Sequence, residues 1–229
     1  MTIENLTVAQ LAGQRLMVGF EGRSFNDELH DLIERLQAGG LILFAPNIEH
    51  PAQLQRLCRD CQEAAARCGQ PPLFIAVDQE GGPVARLKAP HFTEFAGNPS
   101  MRGVEDARAF ARTTARELAA AGINMDMAPV MDVAPDDLSG IMADRVFGSR
   151  PDHVARMGCA LIETLQDAGI MAVAKHFPGI GRTTLDSHLD LPTFREDLSA
   201  MEPVDLPPFQ SAIEMGVAGV MLSHILYEK

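Results

Sequence analysis

Tryptophan is absent from this chain and tyrosine occurs once. Aromatic platforms on which a ligand could stack are therefore few, and recognition of a polar ligand is expected to rest on hydrogen bonds. Basic residues are also scarce: 19 Lys and Arg face 31 Asp and Glu, for a net charge of −12. That balance argues against nucleic acid and anionic membrane as partners. No apolar run approaches the roughly 20 residues that span a bilayer. The N-terminal Met1-Thr-Ile-Glu-Asn lacks a basic and then apolar leader, so a cytoplasmic protein is expected. The four cysteines fit that compartment: Cys58, Cys61 and Cys68 lie in one helical pattern and Cys159 stands alone. Cys58-x-x-Cys61 has the spacing of half a zinc site or a redox pair, but no second pair accompanies it, and reduced helical thiols are expected.

What the chain does have is alternation. Apolar runs of strand length recur at 15–20, 41–44, 73–77, 123–130, 170–174 and 218–222. Between them lie segments with helical spacing, among them Pro51 to Cys68, Val104 to Ala121, Pro151 to Ala168 and Asp205 to Met215. Strands alternating with helices imply a parallel sheet covered by helices. The strands are apolar on both faces, as such a sheet requires.

Two architectures compete, an open doubly wound sheet and a (β/α)8 TIM-type barrel. Polar groups follow nearly every strand: Asp78, Asp132, Lys175, His176 and His224. In a barrel these ends surround one mouth, whereas an open sheet uses only its switch point. The barrel is favoured, with about six βα units of the eight a closed barrel needs. No composition break marks a boundary, so residues 1–229 are expected to form one domain.

The chemistry concentrates between Ala172 and Phe194. The run that ends at Ala174 delivers Lys175 and His176, two groups that need anionic partners or a ligand. Pro178, Gly179 and Gly181 then impose a turned loop, which carries Asp186 and His188. An Asp-x-His pair is either a turn beside an exposed imidazole or a dyad in which the carboxylate supports a general acid/base. Asp78 either caps a turn or accepts two sugar hydroxyls. Arg86 is a ligand or a solvated charge. Arg145 either forks onto a ligand or pairs with its neighbour Asp144. Asp78, Arg145, Lys175, His176 and the Asp186–His188 loop are expected on one concave face.

Asp78-Gln-Glu-Gly-Gly82, Gly122-Ile-Asn-Met-Asp-Met-Ala-Pro-Val-Met-Asp132, Asp144-Arg-Val-Phe-Gly148, Lys175-His-Phe-Pro-Gly179 and Asp186-Ser-His188 together resemble glycoside hydrolase family 3. The likeness is to its single-domain β-N-acetylhexosaminidase branch and runs from about Thr7 to Tyr227. It implies a (β/α)8 barrel and retaining hydrolysis that releases a terminal N-acetylhexosamine. Asp78, Arg86, Arg145, Lys175 and His176 match the family's sugar-binding positions. His188 matches its general acid/base and Asp186 the dyad partner, a departure from the usual two glycosidase carboxylates. The implied partner is a carbohydrate, peptidoglycan fragments included, with no cofactor and no metal. Ile180 stands where the family has a second His, Arg182 where Asp or a small residue is common, and Pro46 and Pro83 where Arg is frequent. The family nucleophile lies on a later Gly-Phe-Asp-Gly-like segment, which no stretch here matches, so a C-terminally incomplete catalytic domain is expected. The alternatives are a sugar- or partner-binding remnant without turnover, and an unrelated barrel enzyme of phosphorylated metabolites.

Overall fold

A computed structural model describes residues 6–137, 142–183, 193–194 and 198–228. In chain order the elements are α1 (Val8–Gly13), β1 (Met17–Val18), α2 (Asp27–His30, continued by a π turn at Asp31–Arg35), β2 (Gly40–Leu43), α3 (Pro51–Arg67), β3 (Phe74–Val77), β4 (Gln79–Gly81), β5 (Val84–Ala85), α4 (Val104–Ala121), β6 (Met125–Asp126), α5 (Pro151–Asp167), β7 (Met171–Phe177), β8 (Thr193–Phe194), α6 (Leu198–Met201), α7 (Leu206–Glu214), β9 (Gly219–Leu222) and β10 (Leu226–Tyr227). The chain divides into two compact units. One holds residues 1–78, 86–93 and 116–126; the other holds 79–85, 94–115 and 127–229.

In the first unit β1, β2, β3 and β6 lie side by side and parallel, with Met17 beside Gly40, Leu41 beside Ile75, and Val77 beside Asp126. Ile75, Ala76 and Val77 are all buried, which is why the run reads as continuously apolar. Helix α3 shows how the pattern makes an element. Pro51 opens its first turn, where the missing N–H costs nothing, and the His50 ring accepts from the Gln53 N–H. Leu54, Leu57, Cys58, Cys61, Ala64 and Ala65 repeat at three- and four-residue spacing and form its buried stripe. The two thiols are part of that stripe. Both are free, and burial pushes each up to about 12, so they are protonated packing groups.

In the second unit β7 is central. On one side it pairs in parallel with β9, Val173 beside Gly219 and Lys175 beside Met221. On the other it bonds to residues 128–131: Val173 N–H to the Ala128 carbonyl at 2.9 Å, Lys175 N–H to Pro129 at 3.1 Å, and Met131 N–H to the Lys175 carbonyl at 2.7 Å. Lys175 and His176 therefore lie within the strand, which runs on to Phe177, and do not follow it. The sequence expectation stopped at Ala174 because side-chain polarity was read as the end of a strand. The ladder depends on backbone groups, and both of those of Lys175 are satisfied by the 129–131 segment.

Helix α5 buries Val154, Met157, Leu161, Ile162 and Leu165, and the Phe177 and Phe209 rings meet edge to face at 5.4 Å. The turn read at residues 78–82 is the start of an antiparallel hairpin, β4 with β5. Gly81 and Gly82, at φ of 81° and 59°, make its reversal, a conformation that disfavours a Cβ. Among the described residues no helix is long and apolar enough to cross a membrane.

Candidate active site

The second unit assembles a buried polar cluster from three segments. Hairpin strand β4 contributes Glu80, whose side chain is 1 % exposed. Strand β7 contributes Lys175, 2 % exposed, with Nζ 2.6 Å from Glu80 Oε1. The turn at 142–146 contributes Arg145, whose Nη2 and Nε fork onto Oε1 and Oε2 of the same carboxylate at 2.7 and 2.9 Å. The Asn98 amide holds the Arg145 carbonyl at 2.7 Å and so fixes the backbone behind the fork.

Two cations on one buried carboxylate decide its ionisation. Burial works against the charged form of Glu80. The Lys175 ammonium and the Arg145 guanidinium outweigh it and hold the carboxyl below its ordinary value. A carboxyl depressed in the folded state stabilises fully above the ordinary carboxylate range and loses that contribution as pH falls through its folded value. The difference in urea midpoint between the native protein and Glu80→Gln is thus expected to be widest at neutral pH and to narrow below about pH 4. A constant difference from neutral to strongly acid pH would contradict the charged cluster.

His176 bridges to a second carboxylate. Its Nδ1 lies 2.7 Å from Asp132 Oδ2, which also accepts the His176 N–H at 3.2 Å, while Asp132 Oδ1 accepts the Ile180 N–H at 2.8 Å. Asp132 is fully buried. One side chain thus ties the end of β7 to the loop that follows. Further bonds hold that loop stem. Thr183 Oγ1 donates to the Ile180 carbonyl at 2.7 Å, and the Tyr227 hydroxyl donates to the Gly179 carbonyl at 3.1 Å. Arg182 pairs with buried Asp205. Burial raises the Asp205 carboxyl despite Arg182, the reverse of Glu80. Burial also pushes the Tyr227 phenol up to about 12, so it stays a donor.

Ile180 packs with Val130, Ala134, Met142 and Val146, which explains an apolar residue at that position. Gly181 lies against the backbone of Val133, whose carbonyl carbon would sit 2.6 Å from a Cβ. Gly181→Ala is expected to lose about 1–3 kcal/mol by overpacking against a backbone that cannot step aside. A thermal melt checks this; an unchanged midpoint would mean that the stem shifts freely.

In the first unit Asp78 follows β3. Arg86 Nη2 lies 3.4 Å from Asp78 Oδ2, and the Arg86 guanidinium stands 5.8 Å from the centroid of the Phe44 ring. Asp78 is therefore neither a bare cap nor alone, and Arg86 is not simply solvated.

Of the site residues expected from sequence, the structure brings Arg145, Lys175 and His176 into one cluster and pairs Asp78 with Arg86. Arg145 forks onto Glu80 and not onto Asp144. Asp186 and His188 lie outside the described residues. Sequence reasoning did not single out Glu80, Asp205 or Tyr227. Glu80 carried one usable signal: a lysine beside a buried run requires an anion, and the Asp78-Gln-Glu motif supplies two candidates. Among the described residues no group of three His, Cys, Asp or Glu side chains is placed to hold a metal.

Comparison with known proteins places the whole chain in one family. The profile of the glycosyl hydrolase family 3 N-terminal domain matches residues 5–229. The chain is 37 % identical to beta-hexosaminidase A of Pseudoalteromonas piscicida, over 97 % of this chain and 41 % of that protein. It is also 37 % identical to a beta-hexosaminidase of Alkalilimnicola ehrlichii, over 93 % of this chain and 62 % of that one. It thus spans roughly two fifths to three fifths of the length of these relatives. A family 3 beta-N-acetylglucosaminidase from Paenibacillus superposes with a TM-score of 0.92 at 38 % identity, covering 97 % of this chain and 43 % of that one. NagZ from Neisseria gonorrhoeae, in complex with N-trifluoroacetyl-D-glucosamine, superposes with a TM-score of 0.82 at 30 % identity, covering 93 % and 64 %. The fold class is that expected from the alternating pattern: α/β, a partial (β/α)8 barrel.

Proposed function

The chain belongs to glycosyl hydrolase family 3, and on that premise we propose that its site holds a terminal β-linked N-acetylhexosamine for retaining hydrolysis of the glycosidic bond. The observation that carries this reading is the buried cluster of Glu80, Lys175, Arg145 and His176 in a chain whose relatives are named beta-hexosaminidases. Buried charges cost several kcal/mol each to desolvate, and a site that must grip hydroxyls without aromatic platforms accounts for keeping them. In this reading Asp78, Arg86, Arg145, Lys175 and His176 bind the sugar. His188, supported by Asp186, protonates the glycosidic oxygen as its bond to the anomeric carbon breaks. A carboxylate nucleophile takes that carbon. Water, deprotonated by His188, then releases the sugar.

In this reading the nucleophile is sought on a further segment, since no stretch of the 229 residues resembles the one that carries it in the family. The second unit supports this. Among the described residues β9 is paired only by β7, and Leu222 and Val220 on it are 70 % and 37 % exposed, as are Ile213 (56 %) and Met215 (45 %) at the end of α7. A following βα unit would cover them. The finer reading takes peptidoglycan fragments as substrates and the cytoplasm as the compartment, supported by the free cysteines.

The test is release of N-acetylglucosamine from an aryl β-glycoside. The chain extended by about two βα units should turn over, and the 229 residues alone should not. Sugar binding without turnover by the extended chain would favour the alternative of a binding module. Turnover by the 229 residues would place the nucleophile among them, with Asp132 the first residue to substitute.

A further inference from the structure

Beyond the sugar site itself, the geometry points to Glu80 as a positioning residue that, through Arg145, holds His176 in one neutral tautomer with its proton on Nδ1. Arg145 Nη2 lies 3.3 Å from His176 Nε2. A guanidinium has donors and no acceptor, so the ring nitrogen facing it must accept. The other ring nitrogen, Nδ1, lies 2.7 Å from Asp132 Oδ2. An ionised carboxylate only accepts, so Nδ1 must donate. The two constraints select the same state. An imidazolium would set an N–H against the guanidinium, and the other neutral tautomer would fail at both ends.

Glu80 is the origin of the first constraint. Its carboxylate takes Nε and Nη2 of Arg145 together, at 2.9 and 2.7 Å, and so fixes both the position and the plane of the guanidinium. One Nη2 hydrogen is used there, and the second is directed at His176. The Arg145 carbonyl is held from behind by Asn98 at 2.7 Å, which removes the remaining freedom of the turn. Lys175 Nζ, 2.6 Å from Oε1, holds the carboxylate from the neighbouring position on β7. His176 therefore has no proton on Nε2 to give. In the reaction proposed above it binds and orients. That consequence rests on the proposed function; the tautomer does not.

The experiment is nitrogen NMR of ring-labelled histidine in the 229-residue protein, without sugar. The seven histidines are resolved by comparison with His176→Asn. The native protein is expected to show a protonated Nδ1 and an unprotonated Nε2 at His176. In Glu80→Gln, where the fork loses its charge and no longer fixes Arg145 against the ring, Nε2 should gain a proton while Nδ1 keeps its own toward Asp132. The other histidines should keep their signals, which a general loosening of the fold would not allow. A native Nε2 that carries a proton, or a Glu80→Gln protein with the native pattern, overturns the assignment. Should Glu80→Gln fail to fold, Glu80→Asp keeps the charge but draws it back one methylene. It should give the same change in part, and an unaltered pattern there would equally overturn the assignment. Absence of sugar binding would leave this result standing and count only against the proposed function.

Discussion

Glu80→Leu is expected to lose about 3–5 kcal/mol of folding stability, the cost of leaving buried charges without their partner. Leucine fills a similar volume but returns neither hydrogen bond to Arg145 nor the contact to Lys175, whose side chains are 8 % and 2 % exposed. Domains of this kind hold only about 5–15 kcal/mol in total, so the variant should sit close to unfolding at 37 °C. The Asp78–Arg86 pair of the first unit gives the contrast. Asp78 and Arg86 meet at 3.4 Å with side chains 16 % and 25 % exposed. That contact is longer and less buried than the Glu80 cluster, and asparagine keeps the shape and an acceptor, so Asp78→Asn should move the urea midpoint less than Glu80→Leu. Equal effects from the two substitutions would show that the Glu80 cluster is solvated and not buried.

The second large effect concerns rate. In the extended chain, His188→Ala is expected to slow hydrolysis of a glycoside with a poor leaving group by about 10²–10⁴, the usual worth of general acid catalysis. Asp186→Ala should fall in the same direction by a smaller factor, because it acts through the imidazole. The loss must shrink as the leaving group improves, since an activated phenol departs with little protonation. Rates measured across a series of aryl N-acetylglucosaminides decide the matter. A loss of the same size for every leaving group would remove His188 from the acid role and leave it a binding group.

Much of this was legible in the residues, for identifiable reasons. Helices α3, α4 and α5 follow from apolar spacing, and Gly122 and Gly169, both at positive φ, end the last two. Burial of β3 and β7 follows from runs without polar alternation. Lys175 and His176 stood out because charge next to a buried strand must be compensated. The identity of the compensating group did not follow. Glu80 lies 65 residues from Arg145 in the chain, and nothing local distinguishes it from Asp78 as the partner. The Tyr227 bond to the Gly179 carbonyl spans 48 residues, and the Arg182–Asp205 pair spans 23. Such partners are chosen by tertiary packing. The extent of β7 was misjudged for a related reason, because neighbouring backbones, which the sequence does not display, decide where a ladder ends.

The most direct measurement is a titration of the 229-residue protein with N-acetylglucosamine, followed by NMR signals assigned to Arg145, Lys175 and His176. A saturable shift at these three residues, abolished in Lys175→Met provided that protein stays folded, is the predicted result. A folded native protein whose three signals do not move at saturating sugar would contradict the assignment of this cluster to carbohydrate binding.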